Sequence, residues 1–178
     1  MKKFTLTLLC LITLGFASQA LIAQEADSVG YIVRDGQQVP EFEMILDNGK
    51  TIHINDLKGK VVMLQFTASW CSVCRKEMPY IERDIWQVYK DKGLVVIGVD
   101  RDEPLETVKK FAKKMKITYP LALDPDADIF GLFALKKAGV TRNVILDRDG
   151  KIVMRTRLFN MEEFNHMKKV IAELLEKE

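Results

Sequence analysis

Apolar runs separated by turn signals predict a mixed α/β domain. Residues 42–46 and 51–54 have strand-like composition and flank Asn48 and Gly49, a pair that is typical of a hairpin turn. Residues 60–67, KVVMLQFT, are almost continuously apolar over the length of a strand, which favours burial on both faces. The first half of the chain therefore predicts a β-hairpin followed by a central strand.

Apolar positions spaced three and four residues apart predict the helices. One such stretch covers residues 78–88 and ends at Lys92 and Gly93, a cation followed by the residue that often terminates a helix. A second helix is predicted from Pro104, and the last covers residues 161–175. Shorter elements are predicted between these: strands at 94–99, 121–123, 144–146 and 151–154, and a helix at 128–134. This order of elements predicts a central mixed sheet with helices on both faces.

The chain length favours one globular domain. Its 178 residues are 48% apolar and 29% charged, a balance typical of a folded protein with one core. We place this domain at residues 39–178 and expect the polar residues 24–38 to form a loosely ordered lead-in. The net charge of +2 comes from Lys2 and Lys3, so the rest of the chain is neutral and predicts no nucleic-acid partner.

The N-terminus has the pattern of a targeting segment. Two lysines precede an apolar stretch at residues 4–16, and small residues follow at the spacing that a signal peptidase reads. Residues 1–23 therefore predict a signal peptide cleaved near Ala20, and with it an exported, periplasmic protein. The alternative is an uncleaved membrane anchor with the domain facing the periplasm, because residues 4–23 are about long enough to span a bilayer.

Three cysteines are too few for a disulfide scaffold, so their spacing indicates their chemistry. Cys10 lies in the apolar N-terminal stretch, whereas Cys71 and Cys74 lie between a buried strand and a helix. The spacing of this pair brings both sulfurs within reach of one disulfide, and the free N–H groups at the helix start favour a thiolate at Cys71. We expect Cys71 to attack a substrate disulfide and Cys74 to resolve the mixed disulfide.

A metal site is the main alternative for this pair. Tetrahedral zinc needs four ligands, and the sequence after residue 23 adds no further cysteine and only His53 and His166, both distant in sequence. We therefore predict a redox pair with no metal and with no cofactor other than its own disulfide.

The segment from residue 42 to the C-terminus resembles the TlpA/ResA-like branch of the thioredoxin superfamily, which is related to the AhpC/TSA redoxins. The resemblance is carried by NDLKGK at 55–60, by FTASWCSVCRKEMP at 66–79 and by the hairpin at 145–152. It implies a thioredoxin-like α/β fold, in which helices flank a central mixed sheet, with an N-terminal β-hairpin and an inserted helix. It also implies an exported thiol–disulfide oxidoreductase that reduces protein disulfides.

The same resemblance implies roles for residues and partners. Cys71 corresponds to the nucleophile, Cys74 to the resolving cysteine and Trp70 to the aromatic residue that flanks them. Members of this branch act on the thiols and disulfides of exported proteins, often during cytochrome c maturation, which makes apocytochrome c a candidate partner. A reductase in an oxidising compartment also needs an upstream electron donor.

Two positions depart from the family pattern, and the first is Gln65. Thioredoxins carry a buried aspartate at this place, and a glutamine cannot accept a proton from Cys74. The resemblance offers Glu77 as the catalytic carboxylate instead, because it lies three residues after Cys74 and on the same helical face. A solvated helix carboxylate is the alternative interpretation of Glu77.

The second departure is Thr141, which stands where the superfamily has a cis-proline opposite the cysteines. A cis bond before threonine costs about 2.5–4 kcal/mol, so we expect the Val140–Thr141 bond to be trans. This loop pairs with the substrate backbone in the superfamily, and we assign Val140 and Thr141 to substrate binding. The Thr141 hydroxyl is also a candidate partner for the Cys71 thiolate, and an ordinary turn residue is the alternative.

Two other functions are known on related folds. A peroxiredoxin-like peroxide reductase needs a threonine three residues before the reactive cysteine, where this chain has Ala68. A copper chaperone uses a wider cysteine spacing and a loop histidine, and residues 136–143 contain no histidine. Peroxide reduction and copper transfer are therefore less favoured by the sequence than the reduction of protein disulfides.

Overall fold

The computed structural model describes residues 25–177. The predicted signal peptide, its cleavage near Ala20 and Cys10 lie outside the described residues, so export and the membrane anchor stay predictions. Among the described residues, no helix is long and apolar enough to span a bilayer.

Within residues 25–177, seven strands form a single mixed sheet. They are β1 (Glu43–Leu46), β2 (Thr51–His53), β3 (Val61–Thr67), β4 (Leu94–Arg101), β5 (Leu121–Asp124), β6 (Arg142–Leu146) and β7 (Ile152–Arg157). Their order is β2-β1-β5-β4-β3-β6-β7, and β3 pairs with a parallel β4 and an antiparallel β6. Every residue of β3 is buried, which confirms the prediction from its apolar sequence.

The helices follow the predicted order. They are α1 (Ser72–Ile81), α2 (Gln87–Tyr89), α3 (Leu105–Met115), α4 (Asp128–Gly131) and α5 (Met161–Glu176), with short 3-10 turns at Ile54–Leu57 and Lys90–Lys92. A π-helical turn at Glu82–Trp86 joins α1 to α2. Pro79 lies inside α1 just before this turn and has no N–H to donate, which accounts for the change of helix geometry there.

Two apolar clusters pack on opposite faces of the sheet. The first contains Met78 of α1, Phe111 of α3 and Phe164 of α5, so these helices cover one face. The second surrounds Phe66 and contains Phe130 of α4. Because side chains alternate along a strand, β3 contributes to both clusters and lies at the centre of the domain.

Residues 25–38 pack against the domain and are not the loosely ordered lead-in that their polarity predicts. Tyr31 and Val33 are almost fully buried. The Tyr31 hydroxyl lies 2.7 Å from the Thr156 carbonyl oxygen, and the Arg142 guanidinium lies 4.4 Å from the centre of the Tyr31 ring. The prediction of a loosely ordered segment was wrong because two largely apolar side chains and two buried hydrogen bonds from the Tyr31 hydroxyl anchor a segment whose average composition is polar.

Candidate active site

Cys71 is the N-cap residue of α1, as its position before the helical pattern predicts. It forms a disulfide with Cys74, and the two Cα atoms lie 5.4 Å apart. The Cys74 backbone N–H donates to Cys71 Sγ over 3.1 Å. This N–H is one of the free donors at the helix start, so it and the helix dipole stabilise a thiolate at Cys71 once the disulfide is reduced.

The two sulfurs differ in access. Cys71 is 7% exposed, whereas Cys74 is fully buried. Trp70 is 56% exposed and presents an apolar surface at the rim of the site. An incoming disulfide can therefore reach Cys71 before Cys74. This arrangement suits the predicted nucleophilic and resolving roles, which stay predictions, as does the contact of Trp70 with substrate.

Thr141 lies directly against the disulfide. Its hydroxyl oxygen is 3.2 Å from Cys71 Sγ and 3.4 Å from Cys74 Sγ, and the hydroxyl is the donor because a disulfide sulfur carries no hydrogen. No peptide bond in the described residues is cis, so the Val140–Thr141 bond is trans, as expected. The Val140 side chain is buried in the apolar cluster around Phe66, and substrate binding by its backbone stays a prediction.

Replacing Thr141 with valine should slow the reaction of Cys71 with an alkylating reagent. Valine keeps the shape of the side chain and removes the hydroxyl that donates to the Cys71 sulfur. A hydrogen bond to a charged group contributes about 1.5–3 kcal/mol, so the midpoint of the alkylation rate against pH should rise by about one pH unit. Thr141→Ser keeps the hydroxyl and should titrate like the native protein. Identical profiles for Thr141→Val and the native protein would contradict a role for the hydroxyl.

Glu77 is buried one helical turn beyond Cys74, with only 2% of its surface exposed. Asn143 Nδ2 donates to one carboxylate oxygen over 2.7 Å, and Gln65 Nε2 donates to the other over 3.4 Å. Burial raises the pKa of Glu77 to about 7, and the two hydrogen bonds partly offset the rise by stabilising the ionised form. The interpretation of Glu77 as a solvated carboxylate is therefore wrong, and its catalytic role stays a prediction.

The start of β6 positions two polar side chains against α1. Thr141 immediately precedes β6, and Asn143 is the second residue of that strand. Thr141 contacts the cysteines and Asn143 contacts Glu77, so a spacing of two residues here matches one turn of α1. Asn143 also lies opposite Gln65 of β3, whose side-chain oxygen accepts a hydrogen bond from the Tyr119 hydroxyl over 2.7 Å. Sequence reasoning missed Asn143 and Tyr119, although Asn143 is a polar residue beside an apolar run.

The profile of the AhpC/TSA family matches residues 36–155, which contain the cysteine pair, Glu77 and Thr141. The chain belongs to the AhpC/TSA family. A similar protein is the thiol–disulfide oxidoreductase ResA of a Bacillus cereus strain, which is 37% identical over 118 residues. The aligned segment spans 66% of this chain and 66% of that protein.

Solved structures of proteins from two Bacteroides species resemble this chain in fold. The solution structure of a candidate protein disulfide isomerase from Bacteroides thetaiotaomicron is 58% identical with a TM-score of 0.82, and covers 84% of this chain and 95% of that one. The thioredoxin domain of a thiol–disulfide oxidoreductase from Bacteroides vulgatus is 29% identical with a TM-score of 0.67, and covers 78% and 99%. The thioredoxin-like fold is thus confirmed, and with the Cys71–Cys74 pair this AhpC/TSA member is a thiol–disulfide oxidoreductase.

This AhpC/TSA member also has a buried acidic pair that sequence reasoning missed. Asp100 of β4 is fully buried, and among the described residues neither of its carboxylate oxygens has a hydrogen-bond partner. Burial raises the pKa of Asp100 to about 8, and the negative charge of Glu103 adds to the rise. Glu103 in turn accepts hydrogen bonds of 2.5 Å from the Ser69 N–H and from its hydroxyl. Glu103 thereby ties the loop that carries Trp70 to the segment that follows β4.

Proposed function

We propose that this thiol–disulfide oxidoreductase works as a reductase of protein disulfides. The observation that carries the proposal is the asymmetry of the cysteine pair. Cys71 lies at a helix N-terminus and is partly accessible, whereas Cys74 is buried one turn from the Glu77 carboxyl. A reductase needs an accessible nucleophile, a shielded resolving thiol and a group that takes the proton of that thiol.

The proposed reaction transfers two electrons from the protein to its substrate. The Cys71 thiolate attacks one sulfur of a substrate disulfide and displaces the other sulfur as a thiolate. Cys74 then passes its proton to Glu77. The Cys74 thiolate attacks Cys71 Sγ, which closes the Cys71–Cys74 disulfide and releases the second substrate sulfur as a thiolate. A second dithiol, the upstream electron donor, must then reduce the pair again.

We place this reaction outside the cytoplasm, in the periplasm. The signal-peptide pattern of residues 1–23 supports this location. In an oxidising compartment, the substrates that need a reductase are exported proteins whose thiols must stay free. Apocytochrome c fits this description, because haem attachment uses the two thiols of a C-x-x-C-H segment.

Mixing the reduced protein with an oxidised C-x-x-C-H peptide tests the proposal. We expect the peptide to be reduced while one Cys71–Cys74 disulfide forms for each peptide, as measured by mass spectrometry after acid quenching and alkylation. The native protein should consume peroxide no faster than a Cys71→Ser variant does. Titration of the reduced protein with copper should show no site that binds as tightly as the site of a copper chaperone. A peptide that stays oxidised, or rapid peroxide consumption that depends on Cys71, would contradict the proposal.

A further inference from the structure

A groove between α1 and α3 lies beside the loop that carries Trp70. It encloses about 210 Å³ and is lined by Ser69, Arg75, Thr107, Lys110, Phe111 and Lys114. We call it the basic groove, because three of these six residues are cations and none is a carboxylate. Its volume accommodates one or two side chains of a partner.

The positive charges of the basic groove are not neutralised by ion pairs. In the described part of the chain, Lys110 and Lys114 form no ion pair and no side-chain hydrogen bond. Arg75 donates to the Ser69 carbonyl oxygen over 2.5 Å, which leaves its charge without a carboxylate partner. Glu103 also contacts Ser69 but is nearly buried, and Glu106 does not line the groove. An anionic group entering the groove would therefore meet unpaired cations.

The basic groove is adjacent to the reactive sulfur. Ser69 precedes Cys71 by two residues, and consecutive Cα atoms are about 3.8 Å apart, so the two Cα atoms lie within about 8 Å of each other. Arg75 follows Cys74 directly on α1. An extended substrate chain advances about 3.3 Å per residue. Residues two to four positions from the attacked cysteine can therefore reach the groove.

We infer that the basic groove binds an aspartate or glutamate side chain that flanks the disulfide of a protein substrate. This inference rests on the proposed function and deepens it, because it names a substrate class: disulfides with an acidic neighbour. The sequence suggests only a solvated helix face for the lysines of α3. The structure separates them, since Lys110 and Lys114 line the groove whereas Lys109 and Lys113 do not.

Binding of a redox-inert peptide tests the groove without any reaction. The probe is a fluorescent peptide in which serines replace both cysteines and three aspartates flank one of them, and its binding is measured by anisotropy. Lys110→Glu combined with Lys114→Glu should weaken binding roughly tenfold at low salt. Lys109→Glu combined with Lys113→Glu changes the net charge equally and should weaken binding much less. Added salt should reduce the difference between the two variants, because these charges are exposed.

The rate of disulfide reduction provides the second readout. A peptide with the same aspartate flanks and an intact disulfide should be reduced faster by the native protein than a disulfide peptide with lysine flanks. The variant that combines Lys110→Glu with Lys114→Glu should reduce the two peptides at similar rates. Equal weakening by the two double variants, or equal binding of acidic and lysine flanks, would overturn the inference. Inorganic phosphate that displaced the peptide at far lower concentrations than chloride would also overturn the inference. The groove would then be a site for a phosphate group rather than for a carboxylate side chain. Groove binding of the inert peptide without reduction of the disulfide peptide would uphold the groove and contradict the proposed reductase.

Discussion

A Cys71→Ser variant is expected to reduce disulfides no faster than buffer, whereas Cys74→Ser should accumulate a mixed disulfide with its substrate. Cys71 lies at the N-terminus of α1 and is the more exposed of the two cysteines, so its loss removes the nucleophile. Cys74 acts after the first attack, so its loss stops the reaction at the intermediate. Non-reducing mass spectrometry of each variant after exposure to a peptide disulfide measures both outcomes.

Cys10→Ser is the matched control for these two variants in the uncleaved chain, because cleavage near Ala20 would remove this remaining cysteine. It should leave the rate of disulfide reduction unchanged. The assignment of roles would be reversed if a reagent at mildly acidic pH alkylated Cys74 of the reduced protein faster than Cys71. A mixed disulfide that accumulates in Cys71→Ser and not in Cys74→Ser would lead to the same correction.

Glu77→Gln should slow the resolving step roughly a hundredfold, the size of effect expected when a general base is lost. The carboxylate is the form that accepts the Cys74 proton, and the pKa of Glu77 is raised to about 7 by burial. The native resolving rate should therefore increase as the pH rises through about 7 and level off above it. In Glu77→Gln this inflection should be absent. Rapid-quench measurement of the decay of the mixed disulfide gives the rate of the resolving step directly. The measurement should cover pH 5–9, roughly two units on either side of the pKa of Glu77.

Glu82→Gln is a suitable control, since it removes one carboxylate from the next turn of the same helical segment. The Glu82 carboxylate accepts hydrogen bonds from the Thr118 N–H and hydroxyl, away from the cysteines. Its pH profile should match that of the native protein. If Glu77→Gln and Glu82→Gln behave alike, Glu77 is a structural residue rather than the proton acceptor.

The redox pair and the sheet around it were predictable because both depend on local patterns. A continuous apolar run can only be satisfied by burial on both faces, and this places β3 at the centre of the sheet. The cysteine pair follows that strand and begins a helix, so the position of Cys71 at the N-cap follows from the order of the elements. Strand β7 was predicted too short, because Thr156 is polar yet buried and interrupts the apolar alternation.

The environment of Glu77 was not predictable because it depends on strand register. Gln65 and Asn143 lie 78 positions apart in sequence and meet only because β3 and β6 are antiparallel neighbours. A single sequence contains no signal for that pairing. The burial of Asp100 was not predictable for the same reason. Asp100 follows the apolar run at 94–99 and has the sequence context of a loop carboxylate, although it lies within β4 and is completely buried.

The reduction potential of the Cys71–Cys74 couple, measured by equilibration with glutathione buffers, tests the central claim most directly. A reductase needs a couple that is more reducing than its substrate disulfides. The negative charge of the buried Glu77 carboxyl, one turn from Cys74, disfavours a thiolate there and lowers the potential, which opposes the stabilisation of the Cys71 thiolate at the helix N-terminus. The account therefore predicts a reducing couple, with a potential of about −250 mV or lower. A potential near about −120 mV, the value of a strong oxidant, would contradict the assignment of the protein as a reductase.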